Sequence, residues 1–99
     1  MVNLVNRVIC INNKKTSMRM TLAEWDAFEI ICKNENVSKS TLLNLINNNK
    51  NHTIGLTNSV RLFSIVYFHQ LLKEKQQMLY GSSKKVTISP IFHAIKEIV

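Results

Sequence analysis

Residues Lys15-Thr16-Ser17-Met18-Arg19-Met20 alternate in character and run without a break into a helix start at Thr21. A strand patterned with a period of two has two chemically different faces. Thr16, Met18 and Met20 share one face; Lys15, Ser17 and Arg19 share the other. A lone strand of this length cannot persist, because its backbone donors and acceptors need a second strand. The segment therefore demands a pairing partner and leaves a basic face for something else to meet.

The preceding residues supply one candidate partner. Asn6 to Ile11 contains Val8, Ile9 and Ile11, and its β-branched side chains favour a strand. Asn12-Asn13 is a turn signal, since asparagine tolerates positive φ. The simplest local reading of residues 6 to 20 is a β-hairpin.

Thr21 and Glu24 have the spacing of a capping box, which predicts a helix to about Lys33. Trp25, Phe28, Ile31 and Cys32 fall on one stripe of it, and Asn34-Glu35-Asn36 ends it. Ser38 caps a second helix, with Leu42, Leu45 and Ile46 as its buried face and Leu43 left for another contact, such as a partner subunit. After a polar loop containing Gly55, Thr57 or Asn58 opens a third helix reaching about Tyr80. Its apolar residues, from Val60 through Leu72, nearly encircle it, so in a chain this short it calls for a second subunit to cover it. Gly81 reads as a helix stop. Ser89-Pro90 starts a last helix with Ile91, Ala94, Ile95 and Ile98 on one side. Such a stripe needs cover, by default from its own chain, otherwise from a protein partner.

The 99 residues make one small domain, expected as a core unit over residues 1–80 and a C-terminal extension over 81–99. No apolar run is long enough to span a bilayer, and the N-terminus alternates too much for a signal-peptide core. The expected location is cytoplasmic. Cys10 and Cys32 are too few for a disulfide framework. His52, His69 and His93 lack metal-ligand spacing with either cysteine. No Gly-rich phosphate loop or nucleophile–base arrangement is present, so no enzyme, cofactor or metal is expected. The formal net charge of +7 and pI near 9.7 favour a polyanionic partner such as nucleic acid.

A strand followed by two capped helices resembles the ribbon-helix-helix proteins, the Arc/MetJ type of bacterial repressor. It is most similar to a small ribbon-helix-helix family common in alphaproteobacteria. The matching residues are Arg7 to Ile11, Thr16-Ser17-Met18-Arg19-Met20, Trp25-Asp26-Ala27-Phe28 and Ser59-Val60-Arg61-Leu62-Phe63. They cover about residues 7 to 70. Thr21-Leu22 departs from the acidic residue and proline usual there.

The resemblance implies a mainly α fold with a short N-terminal β element, a ribbon-helix-helix core completed by dimerisation, a long third helix and a C-terminal helix. It implies that two copies of the strand pair antiparallel across a two-fold axis. Their outward side chains Lys15, Ser17 and Arg19 would then enter the DNA major groove. It also places the N-terminus of the second helix, at Ser38, Lys39 and Ser40, on a phosphate. One dimension opposes simple insertion. If Asn6 to Ile11 flanks the ribbon in each copy, three gaps of about 4.8 Å separate the outer strand axes by about 14 Å, and the major groove is about 12 Å wide. The main expectation is a homodimeric transcriptional regulator that binds double-stranded DNA. The alternative is a dimeric protein-interaction module of antitoxin or adaptor type. Arg61, on a largely apolar helix, is expected to pair with Asp26 or Glu29 inside the dimer, since buried arginine needs a carboxylate; the alternative is that it faces a ligand.

Overall fold

The computed structural model describes residues 3–79 and 89–99; Gly81 and the Lys84-Lys85 pair lie outside them. Strands β1 (Leu4–Ile11) and β2 (Lys14–Thr21) form an antiparallel hairpin along their whole length. Asn12 and Asn13 join them with φ of 50° and 67°. Two successive left-handed residues give the tight turn whose twist matches the flanking strands, and asparagine adopts it readily. Strand β2 thus finds its first partner in its own chain.

The short loop sets the register, with Ile9 opposite Thr16, Arg7 opposite Met18 and Val5 opposite Met20. Opposed residues share a face, and this one packs on the helices: Ile9, Met18 and Met20 are buried. Thr16, assigned to the same face by pattern, is exposed near the turn. On β2 this face is buried only from Met18 onwards, whereas on β1 Ile9 is already buried opposite Thr16.

Helix α1 (Leu22–Glu35) starts on a reciprocal capping box. The Glu24 N–H donates to the Thr21 hydroxyl at 3.1 Å, and the Thr21 N–H donates to the Glu24 carboxylate at 2.9 Å. Thr21→Ala removes the hydroxyl half of the box and should lower stability by about 1 kcal/mol, measured by urea denaturation. At the other end Asn36 takes a left-handed conformation and caps the Cys32 and Lys33 carbonyls. Trp25, Phe28, Ile31 and Cys32 are buried as the periodicity predicts.

Helix α2 (Lys39–Asn49) is capped by Ser38, whose hydroxyl accepts from the Thr41 N–H at 3.1 Å. Its buried set is Leu42, Leu43 and Ile46, whereas Leu45 is exposed. The expected stripe is therefore rotated. The hairpin lies against one side of α2, where Ile9 and Leu43 line a common cleft and the Asn12 N–H donates to Asn44 at 3.0 Å. Periodicity alone carries no information about that neighbour.

Helix α3 (Leu56–Leu79) begins just after Gly55, whose carbonyl accepts from the Ser59 N–H. Val60, Phe63 and Tyr67 form its inner ridge, while Ile65 and Leu72 face outwards. Helix α4 (Pro90–Ile98) starts where Ser89 accepts from the Ile91 N–H, with proline in the first turn. Ala94 and Ile98 are fully buried, and Ile91 and Ile95 pack beside them. The Asn51 N–H donates to the Ile98 carbonyl at 2.7 Å, fastening the end of α4 beside α2. The apolar stripe of α4 thus docks on its own chain.

One apolar cluster joins both strands and all four helices, from Ile9 to Ile98. Trp25 and Phe28 are buried within this cluster in a single chain. Among the described residues, no helix is long and apolar enough to cross a membrane.

Candidate nucleic-acid interface

Lys15, Ser17 and Arg19 are exposed on the outer face of the hairpin. The register adds three residues that patterning of β2 did not provide: Cys10 stands opposite Lys15, Val8 opposite Ser17 and Asn6 opposite Arg19. Counting outward from Asn12-Asn13 as a two-residue turn identifies them from sequence. The two long cations of this face are both on β2, whereas β1 contributes short, uncharged side chains.

The backbone of β2 is equally distinctive. In a hairpin with a two-residue loop, the residues flanking the loop exchange two hydrogen bonds, and bonded and non-bonded pairs then alternate. Lys14, Thr16, Met18 and Met20 therefore point their peptide groups at β1. Those of Lys15, Ser17 and Arg19 point to the opposite edge. Thr21 obeys the same parity: its N–H turns away from β1 to the Glu24 carboxylate. The edge of β2 is a row of unpaired donors and acceptors interleaved with the basic side chains.

The N-terminus of α2 lies beside the other edge of the hairpin. Lys15, Lys39 and Ser40 line one cleft of about 280 Å³ together with Val8 and Cys10. Ser38 lines a neighbouring cleft of about 430 Å³ with Lys33, Asn36 and Lys39. Four of the six expected contact residues thus converge in two groups that share Lys39. Ser17 and Arg19 stand apart from these clefts on the same hairpin face. Ser38 acts as the helix cap, so its hydroxyl is already engaged.

Glu29 holds these parts in register. Its carboxylate accepts from Arg7 on β1 at 2.9 Å and from Lys39 at 3.1 Å. Those hydrogen bonds, from Lys39 and then Arg7, keep the Glu29 carboxyl below the usual carboxylate range. Glu24 is also lowered. Burial pushes it up, but the Thr21 N–H and the Arg61 guanidinium outweigh that effect. Arg61 therefore pairs with Glu24, at 2.8 Å, rather than with Asp26 or Glu29 as expected. The carboxylate that completes the capping box thus also reaches the third helix, a double role that spacing along α1 could not reveal.

Charge is distributed unevenly. Glu24 is the first carboxylate in the chain, so the hairpin carries Arg7, Lys14, Lys15 and Arg19 with no acid of its own. Four of the six acidic residues belong to α1, whose Trp25 is buried and bonded to β1. The outer face is thus positive, and its counter-charges lie behind it. No group of three potential metal ligands occurs among the described residues.

The sequence profile of a family described as a ribbon-helix-helix domain matches residues 4–68, which include the hairpin, α1, α2 and the first half of α3. No curated protein and no solved structure matches the chain.

Proposed function

The chain belongs to the ribbon-helix-helix domain family, whose members are DNA-binding and dimerising rather than catalytic, and we propose that it is a homodimeric transcriptional regulator. In this reading the β2 strands of two copies pair through their open edges across a two-fold axis. Lys15, Ser17 and Arg19 read the major groove from the middle of the resulting sheet. Lys39 and the free N–H groups at Ser38 to Ser40 hold flanking phosphates. The carrying observation is the arrangement of the outer face: exposed Lys15, Ser17 and Arg19 on β2, with Lys39 and Ser40 beside Lys15 at the hairpin margin.

The groove-width problem takes a definite form. β1 stays paired with β2 up to Leu4 and Thr21, so the dimer would carry four strands, about 14 Å between outer axes. Such a sheet lies across the mouth of the groove instead of sinking into it. The distribution of side chains suits that pose. Long Lys15 and Arg19 project from the central strands, while short Val8 and Cys10 on the flanking strands leave room for the phosphate walls. Arginine matches guanine through its planar fork, lysine reaches a base or phosphate, and serine discriminates less.

The test is selection of bound genomic fragments at two salt concentrations, followed by footprinting of the wild type and Arg19→Ala. A pseudo-palindromic motif, steep salt dependence, and a loss of about 1–3 kcal/mol at the contacted base pair of each half-site in the variant are expected. An Arg19→Ala protein with unchanged affinity and footprint would remove the ribbon from the mechanism.

A further inference from the structure

Val8 is out of character with the outer face of the hairpin. It is 71% exposed near the middle of β1, on a face that otherwise presents the polar side chains of Asn6, Lys15, Ser17 and Arg19. Val8 stands opposite Ser17 in a non-bonded pair, since the bonded pairs alternate outward from Ile11 and Lys14. Across such a pair the Cα atoms are only about 4.5 Å apart. Whatever surface Ser17 meets, Val8 meets as well.

We propose that Val8 is a specificity-determining residue of the candidate interface and selects thymine through its C5 methyl group. The inference rests on the ribbon reading above and extends base recognition from β2 to β1.

Position supports this role. In a dimer paired along β2, the β1 strand stands one and a half strand spacings from the two-fold axis, or about 7 Å. Half the width of the major groove is about 6 Å, so Val8 lies over the margin of the groove and not over its middle. Beyond Val8, on the side away from β2, Lys39 and Ser40 line the same cleft. From the axis outward the protein thus presents a polar side chain, an apolar one, and then a cation with a hydroxyl. A thymine presents a matching order across the groove: its hydrogen-bonding edge, its C5 methyl, and the phosphate of its own strand.

The chemistry of the side chain points the same way. Valine has no side-chain donor or acceptor, so against a base edge it gains only from apolar surface. The thymine methyl is the apolar group displayed in the major groove. A cytosine leaves a gap where that methyl was. A purine sets its N7 acceptor against a side chain that cannot donate, at the cost of a desolvated polar atom. Val8 therefore favours one base and disfavours the others, and both contributions add to discrimination.

Synthetic duplexes of the selected motif test the assignment, with thymines replaced by deoxyuridine one symmetric pair at a time. Deoxyuridine keeps the hydrogen-bonding pattern of thymine and lacks only the methyl. Wild-type affinity should fall about 4-fold for each methyl lost and about 15-fold for the symmetric pair, at one position of the half-site. Val8→Ala should lose less than about 2-fold there and respond like the wild type at every other position. Because Val8 is exposed, the variant should keep the far-UV circular dichroism of the wild type. A wild type that binds its motif through Arg19 yet ignores deoxyuridine at every position overturns the role of Val8 and leaves the ribbon reading standing. So does full deoxyuridine sensitivity in Val8→Ala, or a motif without thymine in its half-sites. Selection of no motif at all, or an unchanged footprint in Arg19→Ala, overturns the ribbon reading and this one with it.

Discussion

Ser17→Pro should leave each chain folded while lowering affinity for palindromic DNA by about 10²–10⁴-fold, the advantage that two linked half-sites have over one. Ser17 stands opposite Val8 at a position whose peptide N–H turns away from β1. Proline there removes no hydrogen bond of the hairpin, and an edge strand is where a sheet tolerates proline. Across the two-fold axis, however, Ser17 lies in the middle of the open edge of β2. The proline ring both deletes a donor and obstructs the opposing strand. Any dimer still held by its helices then lacks a registered ribbon. Ser17→Ala is the matched control, since it keeps the N–H and loses only the hydroxyl. The same exchange at Met18, whose N–H points to Arg7, should instead dismantle the hairpin. Gel-shift titration and circular dichroism of the three variants separate these outcomes. Full DNA affinity in Ser17→Pro would show that the two copies do not meet along β2.

The hairpin is legible in the sequence because its determinants are local. Period-two alternation, two asparagines able to take positive φ, and a capping box immediately after the strand all act within a few residues. Together they place the turn, β2 and the start of α1, while β1 begins at Leu4, two residues ahead of the expected Asn6. Helix ends and caps were legible for the same reason at Ser38 and Ser89. What periodicity could not supply was the direction each stripe faces once several elements compete for it. Leu43 is buried instead of Leu45 because the hairpin, not another helix, covers that side of α2. Tyr67 escapes an apolar pattern because its polar end disguises a core residue. It is fully buried, donates to Glu35 and accepts from Asn34. Burial, followed by the hydrogen bond to Glu35, pushes its pKa up to about 12. The candidate interface shows the same division. Lys15, Ser17 and Arg19 followed from alternation along one strand. Their proximity to Lys39 depends on Glu29 and on the packing of β1 against α2, which are contacts between distant parts of the chain.

Trp25 is where fold and candidate interface depend most on one side chain. It is 1% exposed in the core, and its indole N–H donates to the Val5 carbonyl at 2.9 Å. The Arg7 guanidinium lies 5.0 Å from the ring centroid, and the same Arg7 bonds Glu29. Trp25 therefore fills the space beneath β1 and also fastens that strand at two successive inward positions. Trp25→Ala should reduce stability by about 3–5 kcal/mol, since it removes a large buried side chain that its surroundings cannot fully replace. For a small domain that is a large part of the whole stability. Trp25→Phe separates the two roles. It retains most of the apolar volume but leaves the Val5 carbonyl without its indole donor, for an expected loss of about 1–3 kcal/mol. The distinguishing measurement is native-state amide hydrogen exchange. In Trp25→Phe, faster exchange should concentrate in residues 4–11 and the facing positions of β2, while the α3 core around Phe63 keeps its protection. Uniformly faster exchange would mean that Trp25 contributes bulk alone. A local effect would show that the indole–Val5 bond holds β1 in place, and with it the positions of Val8 and Cys10 beside Lys15 and Lys39.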